Sequence, residues 1–339
     1  MPAILVVNAG STSLKLHRVV DDDTAEPIAE LTDVRASEVT AIAHRVVHGG
    51  ATFRDPVVID TQVRAAIFAL EAVDMIHNAP ALRAIEQTRR LLPGIPEVAV
   101  FDTGFHRTIP EAASTYALPR RWREEWGVRR FGFHGLSVAW CAERVPVPRL
   151  VVCHLGGGCS VTAVADGRSV DTSMGFSPLD GIPMTTRCGS IDPQAIIFAL
   201  RTSGIALDAL EHDLNFASGM VGLGGSADMR EIEAHDGLAL AVFVHRLAAA
   251  IAAMTPALGG LDAIVFTAGI GEGSAAIRER VCARLGYLGV TLDPDGNRAA
   301  VADTRIDAAA SAVEVHVIHT REEIVAARAA RRLLAGGHA

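Results

Sequence analysis

The chain has 339 residues and a mass of 35.7 kDa, half of it apolar and 21% charged, which suits about two domains with cores of their own and excludes a disordered chain. Thirty-one basic residues against 39 acidic ones leave a formal net charge of −8, arguing against a nucleic-acid surface and against a polybasic membrane anchor. Lys15 is the single lysine; every other basic residue is an arginine. Five cysteines in no CxxC spacing read as reduced thiols of a cytoplasmic protein.

Residues 1–7 are apolar but lack a basic leader and meet Asn8 at once, so they read as a strand and not a secretion signal. Asn8-Ala9-Gly10-Ser11-Thr12-Ser13 follows as a polar turn, and Leu14, Leu16 and Val19 mark a returning strand. The spacing predicts helices over 61–70 and 80–92, and a strand over 98–101 that ends at Asp102. The opening pattern then recurs. Residues 150–153 are a strand, His154-Leu155-Gly156-Gly157-Gly158-Cys159-Ser160 a small-residue turn, and 161–164 the return, with Asp166-Gly167 as the next hairpin turn. A repeat near 145 residues implies two related domains. Further on, 193–203, 238–258, 274–285 and 322–334 carry helical spacing, and 263–267 is a strand running into Ala268-Gly269-Ile270-Gly271-Glu272-Gly273. The alternation places the chain in the α/β class. The apolar run 238–254 holds His245 and Arg246 at its centre, so it reads as a buried or dimer-facing helix and not a membrane span.

Three small-residue loops, 8–13, 154–160 and 269–273, each follow a strand. Glycines there let a backbone approach phosphate oxygens, which points to a nucleotide site. The third glycine of a dinucleotide fingerprint is missing, since Ser274 stands in its place, and no P-loop pattern occurs. His44-Arg45-Val46-Val47-His48 has the histidine spacing of a zinc protease, but Arg45 occupies the position of the required glutamate. An arginine among valines needs an anion or a carboxylate. Asp102 stands at a strand end, where α/β sheets put their sites. Arg187, in a long Gly/Pro/Met loop, is a second isolated cation, and His134 lies in Phe133-His134-Gly135. Two arginines, a histidine and an aspartate suit phosphoryl transfer.

With these motifs in this order the chain resembles the acetate kinase family. The segments that carry the likeness are 7–15, 44–50, 101–103, 131–135, 154–156, 171–176, 187–193 and 266–272. The resemblance implies two ribonuclease-H-like domains of the actin/hexokinase type with a cleft between them, a homodimer, and reversible phosphorylation of acetate by ATP with Mg²⁺ or Mn²⁺. The domains are expected at 1–102, with the terminal helix 320–339 packing back on it, and at 103–319, which binds nucleotide and dimerises. A partner nucleic acid or membrane is not expected.

By matching position, the resemblance assigns Arg45 and Arg187 to the carboxylate and the transferring phosphoryl group, Asp102 to orienting them, and His134 to the phosphoryl oxygens, with His77 beside it. Asn8 and Glu322 would position the metal. Ser11, Ser13 and Lys15 fall in the first phosphate loop and His154, Gly156 and Gly158 in the second. Gly269, Ile270 and Gly271 would border the adenosine, with Asp228 and Arg230 at the adenine edge. Val47, Ile76, Phe133 and Pro178 would face the acyl group. The chain departs from the family pattern at 77–81, at Gly157 and Gly273, where asparagine is usual, and at Thr185, where glycine is usual. A propionate- or butyrate-preferring acyl kinase and a catalytically weak nucleotide-binding homologue stand as alternatives. The lone lysine inside a phosphate-loop hairpin predicts that Lys15→Arg raises the KM for ATP or lowers kcat; steady-state kinetics unchanged in both would return Lys15 to chance.

Overall fold

Two six-stranded mixed sheets carry the chain. The computed structural model describes residues 3–10, 14–21 and 24–336, without the side chains of 71–77. Two compact units result. Unit 1 comprises residues 1–107, 133–140 and 321–339, and unit 2 comprises 108–132 and 141–320. The division thus places 133–140 with unit 1, where the sequence reading drew one boundary after 102.

In unit 1 the strands are β1 (Ala3–Ala9), β2 (Leu14–Val19), β3 (Ala25–Ile28), β4 (Val39–Val46), β5 (Val57–Val58) and β6 (Glu97–Phe101), in the order β3-β2-β1-β4-β6-β5. β1, β4 and β6 run parallel at the centre, and β2, β3 and β5 pair antiparallel at the flanks. In unit 2, β7 (Arg149–Leu155), β8 (Cys159–Ala165), β9 (Arg168–Thr172), β10 (Ala263–Thr267), β11 (Thr304–Arg305) and β12 (Glu314–Ile318) lie in the order β11-β12-β10-β7-β8-β9. Here β7, β10 and β12 are the parallel centre and β8, β9 and β11 the antiparallel flanks. Reversed, this is the layout of unit 1, and β1 and β7 open the two copies of a ribonuclease-H-like sheet. The internal repeat seen in the two hairpins is therefore a repeat of whole domains.

The central strands are buried on both faces, as in β1, β6 and β10, which explains their unbroken apolar runs. The helix Glu322–Gly336 packs on unit 1's sheet through Ile324, Ala326, Ala327 and Ala330, and Arg331 donates to the Val19 carbonyl at 2.8 Å. In unit 2 the 21-residue helix Leu238–Leu258 lies against β7, β8 and β9. Among the described residues it alone is long and apolar enough to cross a membrane. Yet Leu240, Phe243, Val244, Leu247 and Ile251 are buried against that sheet, so it is a core helix. Local signals set the helix starts: Asp60 caps Thr61–Ala69, Asp192 caps Pro193–Thr202 with proline in the first turn, and Ser274 caps Ala275–Ala283.

Three elements differ from the sequence reading. The second helix begins at Glu71 and runs through Pro80 to Leu91; the spacing alone starts it at the proline. The turn between β7 and β8 is only 156–158, because His154 and Leu155 still pair with Ser160 and Cys159. The glycine-rich stretch after β10 is a short helix, Ala268–Gly273, entered through Ala268 at a φ of 65°.

Candidate active site

In unit 1 the site starts from strand register. Asn8 on β1 lies opposite Arg45 on β4 on one side and Lys15 on β2 on the other, and in-register neighbours share a face of the sheet. Lys15 is exposed. Arg45 donates from Nε to Asp102 Oδ1 at 3.0 Å and from Nη2 to Oδ2 at 2.5 Å, a bidentate fork. Its Nη1 donates to Asn8 Oδ1 at 3.0 Å, and Asn8 Nδ2 donates to Glu322 Oε2 at 3.1 Å. Glu322 also stands 3.8 Å from Arg45 Nε. It is Glu322 of the terminal helix, rather than its neighbour Glu323, that closes this row. The Arg45 guanidinium has two further N–H donors beyond these three, and its side chain is 13% exposed while that of Asp102 is fully buried.

Burial acts on both charges. It opposes the Arg45 cation, but the Asp102 and Glu322 carboxylates outweigh it and the guanidinium is held charged more firmly than usual. Burial pushes the Asp102 carboxyl up to about 6, helped by Glu322 and opposed by Arg45 and by the backbone N–H of His134. That N–H donates to the Asp102 carboxylate, so Asp102 joins Arg45 to the segment that carries His134. His134 has a φ of 58°, in the left-handed region where side chains are uncommon. Gly135 is packed so closely that a Cβ there would lie 2.0 Å from the Asp102 carbonyl oxygen. Val47 and Phe133 are buried, and Phe133 meets His48 edge-on at 5.4 Å. His48 and Asn78 are tied backbone to side chain in both directions at 3.0 Å. His44 instead faces Glu97 at 3.2 Å. The two histidines of the protease-like spacing thus serve different packing tasks.

Ser11 and Ser13 lie outside the described residues, as do the side chains of Ile76 and His77. No cluster of three or more His, Cys, Asp or Glu side chains suited to a metal occurs among the described residues. The row instead offers one carboxylate beside an amide, which matches Mg²⁺, an ion bound by one or two carboxylates together with substrate phosphates.

In unit 2, Arg187 donates to the Pro178 carbonyl at 3.1 Å and touches Met184 Sδ at 3.6 Å. Pro178 therefore supports the arginine through its backbone. The Arg187 carbonyl accepts from Met184 N–H, and Gly219, at a φ of 60°, lets a neighbouring turn close over both: a Cβ there would lie 2.2 Å from the Met184 oxygen and 2.7 Å from that of Arg187. His154 is in register with Thr267, and Gly156 packs beside Ala268, so the 156–158 turn and the helix Ala268–Gly273 adjoin. Gly269 is exposed and Ile270 half-buried. Thr185 Oγ1 donates to the Gly157 carbonyl at 3.0 Å, so two of the departures from the family pattern meet each other. Asp228 caps the helix Met229–His235 and pairs with Arg230 at 2.6 Å, both on the surface.

Sequence reasoning passed over Arg278. This fully buried arginine donates to the Gly271 and Glu272 carbonyls, both at 2.8 Å, and to Asn297, fixing the end of the glycine-rich helix. Its pattern in sequence is that of any surface arginine on a helix. The cysteines are all free thiols; burial pushes Cys159 and Cys282 up to about 12, far from the thiolate form.

Two ribonuclease-H-like domains, with an arginine–aspartate fork at strand ends in one and glycine-rich turns at strand ends in the other, define a phosphotransferase of the actin/hexokinase type. Residues 28–328 match the model of the acetokinase family. The acetate kinase of Protochlamydia amoebophila is 45% identical over 303 residues, covering 86% of this chain and 76% of that protein. That of Nostoc punctiforme is 46% identical over 305 residues, covering 85% and 75%. Among solved structures, a propionate kinase from Francisella tularensis superposes with a TM-score of 0.90 at 33% identity, covering 97% of this chain and 99% of that one. The Porphyromonas gingivalis acetate kinase does so with a TM-score of 0.88 at 30% identity, covering 98% and 100%. The chain belongs to the acetokinase family.

The raised Asp102 value has a sign that separates activity from stability. Below about pH 6 the carboxyl gains a proton and loses the charge that faces Arg45, so kcat/KM, which reports groups of the free protein, falls on the acid side of 6. The same shift means the folded chain holds that proton more tightly than the unfolded one. This group's stabilisation is thus full below about pH 4 and is lost as pH rises through 6. A pH profile of kcat/KM flat from 5 to 8 would contradict the assignment.

Proposed function

We propose that the chain is an acetate kinase, which transfers the γ-phosphoryl group of ATP reversibly to acetate. The observation that carries this reading is the buried fork between Arg45 and Asp102 beside Asn8 and Glu322, in a chain about 45% identical to acetate kinases.

The chemistry follows from charge. Acetate is already ionised at neutral pH and needs no general base. The obstacle is an anion approaching a polyanion. Arg45, held in its fork, presents a fixed cation to the acetate carboxylate and the transferring group; Arg187, held by Pro178, presents another. The donors are in place before reaction, so little reorganisation is needed as charge develops. An acetate oxygen attacks the γ-phosphorus in line, the bond to ADP breaks, and its electron pair stays on the β-phosphate oxygen. His134 hydrogen-bonds the equatorial oxygens. Asn8 and Glu322 would hold Mg²⁺, which supplies charge neutralisation of the phosphates when bound. Gly156 and Gly158 border the phosphates, Gly269 to Gly271 the adenosine, and Asp228 and Arg230 its outer edge. Both Asp102 oxygens are engaged by Arg45, which favours direct transfer over a phosphoryl-aspartate.

Propionate is the second reading, because a propionate kinase is among the structural relatives and one methylene changes affinity by only about 1–3 kcal/mol. Val47, Phe133, Pro178 and Ile76 are the residues that would set the difference. We further infer a cytoplasmic homodimer built through unit 2, where Phe198, Leu207, Phe216 and Leu238 are exposed apolar side chains within 191–238; sedimentation as a monomer at micromolar concentration would remove that inference.

The test is acyl phosphate trapped as hydroxamate, with acetate, propionate and butyrate in parallel. Acetate is expected to give the highest kcat/KM, and no product from any acid would leave a nucleotide-binding homologue. Arg45→Ala and Arg187→Ala are each expected to lower kcat by about 10³-fold, the scale of an arginine finger; near-normal turnover in either would sink its role.

A further inference from the structure

Beside the Arg45–Asp102 fork the chain passes through Phe133-His134-Gly135. His134 sits at a φ of 58°, a conformation that side-chain-bearing residues hold only when their surroundings impose it. The imposition comes from one short element, the 3₁₀ segment Asp102–Thr108. At its start, the Asp102 carboxylate accepts the His134 backbone N–H, and the Asp102 carbonyl abuts Gly135 so tightly that no Cβ fits. One turn later, His106 Nε2 lies 2.8 Å from the Phe133 carbonyl oxygen. The peptide group between Phe133 and His134 is therefore gripped at its oxygen by His106 and at its N–H by Asp102.

The direction of the His106 bond is fixed by chemistry. A carbonyl only accepts, so Nε2 carries the proton and the ring donates. His106 is 2% exposed, and its ring stands edge-on to Phe105 at 5.9 Å. Burial lowers its pKa to about 4, so the ring is neutral and its Nε2–H tautomer persists throughout the neutral range. A neutral buried donor holds one geometry without adding a charge that would compete with Arg45 for Asp102.

We propose that His106 is a positioning residue for phosphoryl transfer: by donating Nε2–H to the Phe133 carbonyl it locks the Phe133–His134 peptide and so fixes the direction in which the His134 imidazole is presented. This rests on the acyl-kinase reading, in which His134 meets the phosphoryl oxygens. His106 touches no substrate and acts only through His134.

The distinguishing variants are His106→Gln, His106→Asn and His106→Leu, with kcat, both KM values and thermal midpoint measured on the full chain. Glutamine carries an amide nitrogen three bonds from Cβ, as Nε2 is, and reaches the carbonyl. Asparagine carries it two bonds out, where Nδ1 lies, and does not reach. His106→Asn and His106→Leu are expected to lower kcat by about 10–100-fold, the cost of a small misplacement, with the KM for ATP and for acetate within about twofold. His106→Gln is expected to restore kcat to within about threefold. In a His134→Ala background, His106→Asn is expected to change kcat by less than about twofold, since the group through which it acts is gone.

An active wild type whose His106→Asn keeps its kcat, or loses the same factor in the His134→Ala background, overturns the proposal. So does a fall in thermal midpoint with unchanged kcat per folded molecule, which would make His106 a packing residue. If the Asn and Leu variants do not fold, His106→Gln decides alone: near-normal kcat supports the proposal, and a loss beyond about tenfold in a folded protein overturns it. A wild type that makes no acyl phosphate removes the acyl-kinase reading itself, a different outcome from any of these.

Discussion

A carboxylate with no exposure to water, Asp102, is the constraint around which unit 1 is arranged. An isolated buried charge of this kind is prohibitive, and removal of one partner from such a pair typically costs about 3–5 kcal/mol. Arg45 answers it with two parallel hydrogen bonds, and the His134 N–H adds a third donor. Each partner then carries its own neighbours. Arg45 reaches Asn8, Asn8 reaches Glu322, and Glu322 anchors the start of the last helix. One ion pair thereby connects β1, β4, the end of β6, the 133–135 segment and the terminal helix.

That arrangement also explains why an arginine, and not a lysine, stands at 45. A planar guanidinium can satisfy both oxygens of Asp102, donate to Asn8 Oδ1, and still present N–H groups to a ligand. An ammonium has three N–H donors, so the same three contacts would use all of them and leave none for a ligand. Many other arginines pair on the surface, as Arg230 with Asp228 and Arg120 with Glu124 do, where water and salt screen such pairs. Composition is thus silent about which arginines matter, and burial separates them.

The legible parts of the sequence were the local ones. Apolar segments on either side of small-residue turns announced β1, β2, β7 and β8, and the apolar runs 263–267 and 238–258 match β10 and the helix before it residue for residue. The strand that carries Arg45 was not read as a strand, because Thr40, His44 and Arg45 break up its apolar run, where β1, β6 and β10 offer nearly unbroken ones. Pro80 was read as a helix start because proline favours that position; the long helix contains it nine residues in. Gly269 to Gly273 was read as a loop on composition, yet the buried Arg278 behind it secures a helical turn. Arg45 stood out as an arginine among valines and Asp102 as a carboxylate at a strand end; family likeness gave them and Asn8 and Glu322 their roles, and nothing in their spacing reveals that they form one hydrogen-bonded row. His106 and Arg278 were not singled out: His106's partner lies 27 residues away, Arg278 reaches back to Gly271 and Glu272 and on to Asn297, and only the folded chain shows that these contacts are buried.

In the proposed mechanism Asp102 serves the reaction through Arg45, and a double-mutant cycle on kcat reads that dependence. Asp102→Asn keeps the shape and removes the charge. Its expected cost is about 10²-fold or more in the wild-type background and less than about threefold once Arg45 is already alanine, because coupled groups are strongly non-additive. Equal losses in the two backgrounds would contradict it.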